Sequence, residues 1–199
     1  MVDHYYSEKP TAKSSIKTIH AILRNIDFDF TTDTSIFSKT KVDNGTAILI
    51  EEAQIEPGSK ILDLGCGYGV LGIALKKACP QCEVTLTDVN QRATGLAKKN
   101  ARLNGVVVET FTGDRYIALK DRTFDAIYVN PPQRAGRELC NSMIEQAPEH
   151  LVTGGSLWLV ARHNFGGAQF EKKMEEVFGN VETIARQSGF RVYRSKKNN

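Results

Sequence analysis

Two parts of this chain have residue types and spacing suited to chemistry: Asn130-Pro131-Pro132, and the run Asp63-Leu64-Gly65-Cys66-Gly67-Tyr68-Gly69. An amine on an aromatic ring is a poor nucleophile, because its lone pair is delocalised into the ring. A site can help by accepting hydrogen bonds from the N–H groups, which turns the lone pair outward. Asn130 offers a side-chain oxygen for this. Pro131 offers a backbone carbonyl that its fixed φ keeps aimed, and Pro132 stiffens the loop. Orientation and dipoles fixed before reaction can together raise a rate by several powers of ten. Neither a metal nor a covalent intermediate is required. Prolines also merely stop strands. The tripeptide gains weight because it ends an apolar strand in a chain that also carries the glycine run.

Gly65, Gly67 and Gly69 sit where a buried strand turns into a helix. Amides and the helix dipole favour an anionic group there. Asp88 ends the next strand, where a carboxylate can accept from both hydroxyls of a ribose. Gly67-x-Gly69-x-x-Gly72 also spells the dinucleotide fingerprint, with Asp88 about 20 residues on. On the glycines alone, an NAD-linked oxidoreductase therefore stays open. Asp63, inside the strand, can brace the turn and meet the cationic amino group of an amino-acid moiety. S-adenosylmethionine has such a group and NAD does not. Gly113-Asp114 at a third strand end can bring a carboxylate to the adenine amine. Three acidic strand ends along one crevice favour S-adenosylmethionine as cofactor.

The elements that must place these residues are legible from residue 60 onward. Apolar runs predict strands at 60–64, 84–87, 106–111, 124–129 and 156–161, and helical spacing predicts helices at 70–78, 90–104, 139–146 and 168–178. Asn90 is a good N-cap, Gly105 and Gly179 are good stops, and Gly154-Gly155 predicts a turn. Residues 181–185 and 190–193 predict a hairpin around Gln187-Ser188-Gly189. This alternation predicts an α/β fold with a mostly parallel sheet, helices on both faces and one antiparallel strand at its end. Upstream, Asp27-Phe28-Asp29-Phe30-Thr31-Thr32-Asp33 alternates as a half-exposed strand does, while 16–23 is ambiguous between strand and helix. We expect 1–44 to be a small β-rich extension packed on a main domain of 45–199, because its own core would be too small to stand alone.

These residues carry a family resemblance that covers nearly the whole chain. Asp63 to Gly69 resembles the cofactor motif of the RsmC-like methyltransferase small domain, and Asn130-Pro131-Pro132 resembles its catalytic motif. The upstream stretch from Phe28 to Thr46, with Thr32-Asp33, Ile36-Phe37-Ser38 and Val42-Asp43-x-Gly45-Thr46, is similar to the segment preceding the cofactor domain in that family. The resemblance implies a Rossmann-like class I methyltransferase with a seven-stranded sheet and a β-hairpin extension. It also implies guanine-N2 methylation of ribosomal or other structured RNA. It puts Phe37, Ser38, Gly45 and Thr46 on the cofactor wall, beside Asp63, Gly65, Cys66, Gly67, Gly69, Asp88, Val89, Asp114 and Asn130. The chain departs from related nucleic-acid enzymes after Asn-Pro-Pro, where they often carry a base-stacking aromatic and this chain has Gln133. Stacking would then fall to another residue, such as Phe165. The longer RNA methyltransferases of the family also have an additional N-terminal domain, which is not expected within these 199 residues.

Net charge is +3 in 199 residues, which permits an RNA partner without demanding one. Arg134, Arg137 and Arg162 fall in loops near the reactive edge, where they could meet RNA phosphates or simply be solvated. Arg191, Arg194, Lys196 and Lys197 read as a phosphate contact or a disordered end, the latter slightly favoured. Cys79-Pro80-Gln81-Cys82 has metal-site spacing but no second ligand pair, so no metal is expected. No apolar run is long enough for a membrane span and no secretory signal is visible, so a cytoplasmic address is expected. Competing readings are a protein glutamine N5-methyltransferase, the NAD oxidoreductase and a non-catalytic RNA-binding module.

Overall fold

A computed structural model describes residues 15–33 and 41–198. The main sheet follows the predicted alternation: β3 (Lys60–Leu64), β4 (Glu83–Asp88), β5 (Glu109–Thr112), β6 (Phe124–Val129), β7 (Leu151–Arg162), β8 (Glu182–Gln187) and β9 (Phe190–Lys196). Between them run α2 (Val70–Ala78), α3 (Gln91–Leu103), α4 (Arg137–Glu145) and α5 (Gly167–Phe178). The spatial order is β5-β4-β3-β6-β7-β9-β8. All neighbours are parallel except β9, which runs antiparallel to both β7 and β8. The antiparallel strand is thus inserted before the last position. Ser188 and Gly189, both at positive φ, make its tight return.

The central strands are apolar on both faces because both are covered. Ile61, Tyr128, Trp158 and Val160 join one core with residues of α2 and α3. Their neighbours Leu62, Ile127, Leu157 and Leu159 join another with Cys140, Ile144, Phe170 and Met174 of α4 and α5. Pairing register puts the strand ends side by side: Leu64 lies opposite Thr87 of β4 and Val129 of β6. The glycine turn, Asp88 and Asn130 therefore leave the sheet together.

The ambiguous N-terminal segment is a hairpin of β1 (Ile16–Leu23) and β2 (Ile26–Asp33), closed by Arg24 and Asn25 at positive φ. Phe28 and Phe30 stack 5.6 Å apart and belong to the same core as α2 and α3. The outer edge of β2 is completed by a helix. Asn100 of α3 accepts from Thr31 N at 2.7 Å and donates to Thr31 O at 2.9 Å, and Asn104 makes the equivalent pair with Asp29. Spaced i, i+4, the two amides present themselves as the next strand would. Asn100 Nδ2 also reaches Tyr68 O in the glycine turn, 2.9 Å away. Asn100 is fully buried. Asn100→Ala would leave those three backbone groups unmatched, so we expect a stability loss of roughly 2–4 kcal/mol. A urea midpoint within error of wild type would contradict this account of the hairpin.

Several expectations are corrected. A helix not anticipated, α1 (Asn44–Glu52), follows the hairpin. Asp43 caps it by accepting from Thr46 N at 3.0 Å, and the hairpin before it shares the main core. The predicted strand 106–111 begins only at Glu109, because β5 is an edge strand whose pairing with β4 starts at Thr85 opposite Glu109. Gly154-Gly155 is no turn between elements but lies within β7, beside a register slip against β6. A Cβ on Gly155 would meet Val152 O at 2.9 Å. The basic tail is strand β9 up to Lys196, with Arg194 paired to Glu182 and lying over Trp158.

Candidate active site

One cleft of about 970 Å³ opens at the carboxyl end of the sheet. That is ample for a nucleoside-sized ligand with room beside it. Asp63, Gly65, Cys66, Gly67, Asp88 and Val89 line one wall. Thr46, Asn130, Pro131 and Pro132 line the next, and Gly113 and Asp114 a third. Gln133, Arg134, Arg162 and Phe165 stand at the mouth. Three expected residues lie off this wall. Gly69 starts α2 at φ 91°, and a Cβ there would meet Ile73 Cδ1 at 2.9 Å and Ala97 Cβ at 3.0 Å, so it serves packing against α3. A Cβ on Gly45 would meet Phe190 at 2.9 Å, so it lets α1 approach β9. Arg137 is exposed at the start of α4. Phe37 and Ser38 lie outside the described residues.

The glycine turn holds itself rather than offering free amides. Gly65 N and Cys66 N both donate to Thr87 O, at 2.8 and 2.9 Å, and Gly69 N donates to Cys66 O. Gly67 N donates to Asp88 Oδ2 at 2.8 Å, while Asp88 Oδ1 accepts from Asn90 N. What the glycines supply is space. Gly65 and Gly67 have positive φ, and a Cβ on Gly67 would touch nothing within 4 Å. A ligand can therefore lie against bare backbone. At the mouth of α2, Gly72 N is held by Asp63 Oδ2 at 2.9 Å and Ile73 N by Gly69 O. The first-turn amides of Val70 and Leu71 have no acceptor within the helix.

Two buried carboxyl groups stand on this wall. Burial pushes the Asp63 carboxyl up to about 7, against the hydrogen bond from Gly72, and the nearby Asp88 raises it further. Asp88 is also raised, again by burial. Two buried acids that disfavour each other's charge suit a cationic ligand, which would relieve both. Asp114 differs from expectation in one respect: its carboxylate is gripped by the adjacent Arg115, whose other arm reaches Ser142 Oγ. Burial holds the Cys66 thiol well above its usual range, so it is no nucleophile. Cys82 is likewise pushed up, to about 12, and all four cysteines are free and buried. Among the described residues no three His, Cys, Asp or Glu side chains group to hold a metal, and no helix is long and apolar enough to cross a membrane.

Asn130 has its amide fixed. Nδ2 donates to Asp43 Oδ2 and to Thr46 Oγ1, both at 2.9 Å. A carboxylate only accepts, so this pairing sets which way the amide points. Both hydrogens are engaged, and Oδ1 is left for the cleft. Pro131 O accepts from Gln133 N at 2.8 Å, which fixes the carbonyl and leaves it one lone pair. Sequence reasoning quoted Asp43 within a motif without giving it a site role. The signal was an N-cap residue three before Thr46, opening the apolar run Ile48-Leu49-Ile50.

Gln133, at the mouth, spends its side-chain amide on the backbone of the neighbouring loop. Its Oε1 accepts from Arg162 N at 3.1 Å and its Nε2 donates to Phe165 O at 2.9 Å. It thereby ties the loop after β7 to the Asn-Pro-Pro loop. Phe165, on that loop, is 73% exposed although it lines the cleft. Arg162 lies over the Phe190 ring at 4.6 Å.

Comparison with known proteins agrees with this geometry. The methyltransferase small domain family matches residues 27–194. A Bacillus subtilis protein described as uncharacterized, YbxB, is 39% identical over 99% of this chain and all of its own length. Ribosomal RNA small subunit methyltransferase C of Stutzerimonas stutzeri is 35% identical over 80% of this chain, and that of Pseudomonas entomophila is 32% identical over 98%. The chain spans 48% and 59% of those two proteins, about half their length. Among solved structures, the T. thermophilus 16S rRNA N2 G1207 methyltransferase (RsmC), in complex with AdoMet and guanosine, superposes with a TM-score of 0.83. It is 24% identical, and the match covers 94% of this chain and 52% of that one, a likeness of fold. The family match spans both the glycine turn and the Asn-Pro-Pro loop, and this chain belongs to the methyltransferase small domain family, S-adenosylmethionine-dependent methyltransferases.

Proposed function

We propose that this chain methylates an exocyclic amine of structured RNA, with N2 of a guanine in small-subunit ribosomal RNA as the favoured acceptor. The observation that carries the reading is the Asn130 amide, whose two hydrogens are held by Asp43 and Thr46 so that Oδ1 remains as an acceptor beside the Pro131 carbonyl. The names of the relatives support ribosomal RNA as the substrate class. The exposed Phe165 and the arginines at the mouth suit a base lifted from its stack and the phosphates that flank it.

The residues present fit the cofactor. Asp63 would face the ammonium group, the open backbone at Gly65 and Gly67 the methionine portion, and Asp88 the ribose. Asp114 would reach the adenine amine only through whatever acceptor capacity Arg115 leaves it. S-adenosylmethionine supplies a methyl group made electrophilic by a positively charged sulfur. Asn130 Oδ1 and Pro131 O would each accept one N–H of the target amine, turning its lone pair toward that methyl. As the nitrogen becomes positive, the same two dipoles stabilise it, and its surplus proton leaves to water. Gln133 holds the loop that presents Phe165 to the base.

The test is to incubate the protein with methyl-tritiated S-adenosylmethionine and an unmodified small-subunit rRNA transcript, then digest to nucleosides. Label in N2-methylguanosine is expected. Label that enters only protein from a parallel extract would overturn the RNA reading in favour of a glutamine acceptor. Asp88→Ala should weaken S-adenosylmethionine by roughly 1–3 kcal/mol, because buried hydrogen bonds to a charged group disappear and the Gly67 turn loses its anchor. Unaltered affinity in calorimetry would remove Asp88 from the ribose site.

A further inference from the structure

We infer that Asp43 is a positioning residue for methyl transfer, acting through Asn130 rather than on the substrate; this rests on the methyl-transfer reading above. Asp43 stands 87 positions before Asn130 in the chain, yet its Oδ2 accepts from Asn130 Nδ2 at 2.9 Å. The same oxygen accepts from Thr46 N at 3.0 Å, and the Thr46 hydroxyl takes the second amide hydrogen at 2.9 Å. One carboxylate thus does two jobs: it caps α1 and it locks the orientation of the catalytic amide.

The lock matters because a primary amide has two nearly isosteric ends. Turned by half a rotation, Asn130 would present N–H donors to an amine that itself only has N–H to give, and the acceptor would be lost. Asp43 forbids that state, since its carboxylate facing Oδ1 would set two acceptors against each other. A hydrogen bond to a carboxylate also draws the amide toward its charge-separated form, which places more negative charge on Oδ1. That charge lies where the target nitrogen becomes positive. Asp43 and Thr46 both line the cleft, so the lock is part of its wall.

Capping and locking can be separated. Serine is as good an N-cap as aspartate, but its hydroxyl is one bond shorter and cannot also hold Asn130. Asparagine keeps the cap and an acceptor at full length. We expect Asp43→Ser to fold, to bind S-adenosylmethionine within about threefold of wild type, and to lose more than tenfold in kcat on the rRNA transcript. Asp43→Asn, whose oxygen the Thr46 N–H turns toward Asn130 but which carries no charge, should recover part of that loss. In 15N-labelled protein, the Asn130 side-chain NH2 signals, identified by their absence in Asn130→Asp, should exchange slowly in wild type and Asp43→Asn. In Asp43→Ser they should exchange as fast as those of the exposed Asn25. Wild-type kcat in Asp43→Ser, or equal losses in the serine and asparagine variants, would overturn the inference. So would fast exchange of the Asn130 amide in the wild-type protein. If no substrate takes label from the wild-type protein, the methyl-transfer reading fails by itself, and the exchange data still decide whether Asp43 holds the amide.

Discussion

Asn130→Ala should bind S-adenosylmethionine nearly as wild type does and turn over more than tenfold more slowly, toward the roughly hundredfold loss typical of deleting one fixed transition-state contact. The expectation follows from where the side chain makes its bonds. Its Nδ2 is engaged by Asp43 and Thr46, and only Oδ1 is left for the cleft. Deletion therefore removes an acceptor for the target amine rather than a wall of the cofactor site. The Asp43 carboxylate that remains keeps its bond from Thr46 N, so α1 stays capped. The measurement is single-turnover methylation of the rRNA transcript beside calorimetric titration with S-adenosylmethionine. An unchanged single-turnover rate would take Asn130 out of the reaction. A large fall in cofactor affinity with a normal rate would move it to the cofactor wall.

The second large effect concerns pH. Burial raises Asp63 to about 7, so in the free protein it is mostly protonated below neutrality. In the unfolded chain it ionises near its ordinary value of 3.8. Its contribution to stability is thus fully present below pH 3.8, declines as pH rises through 7, and is absent above. A cofactor ammonium against Asp63 reverses the preference and draws the carboxyl into its charged form. Binding near neutral pH should therefore release a proton, and affinity should fall as pH drops below about 7, approaching tenfold per unit. Calorimetry at pH 6.5 in buffers of different ionisation enthalpy reads the proton directly. Asp63→Asn should abolish the release and weaken binding more than tenfold, since a charge-assisted contact contributes about 1.5–3 kcal/mol. A flat affinity between pH 6 and 8 in the wild-type protein would disconnect Asp63 from the ammonium group.

The sheet was legible because buried parallel strands leave continuous apolar runs and their helices leave strong caps, as at Asn90, whose Oδ1 accepts from Arg92 N and Ala93 N. Register at the strand ends follows from the same pattern, so the convergence of Gly65, Asp88 and Asn130 could be anticipated. Helix α1 was hidden because Asn44-Gly45 reads as a turn; the Asp43 cap, the packing of Gly45 under Phe190 and the burial of Ile48, Leu49 and Ile50 go with the helix. The roles of the turn amides were also out of reach. Spacing says where glycine is needed but not that Gly65 N and Cys66 N already serve Thr87 O. Gln133 does line the cleft, but what holds its side chain was hidden for a related reason. Its neighbours in the sequence put it at the reactive edge, whereas its partners, Arg162 and Phe165, come from a loop about 30 positions further on.

Asn100 grips Thr31 of the hairpin with its amide and also holds the Tyr68 carbonyl of the glycine turn. A single side chain therefore yokes the N-terminal ribbon to the loop that cradles the methyl donor. Neither can breathe without loosening the other, so deuterium uptake at Thr31 should slow when the donor fills a cleft to which Thr31 does not contribute.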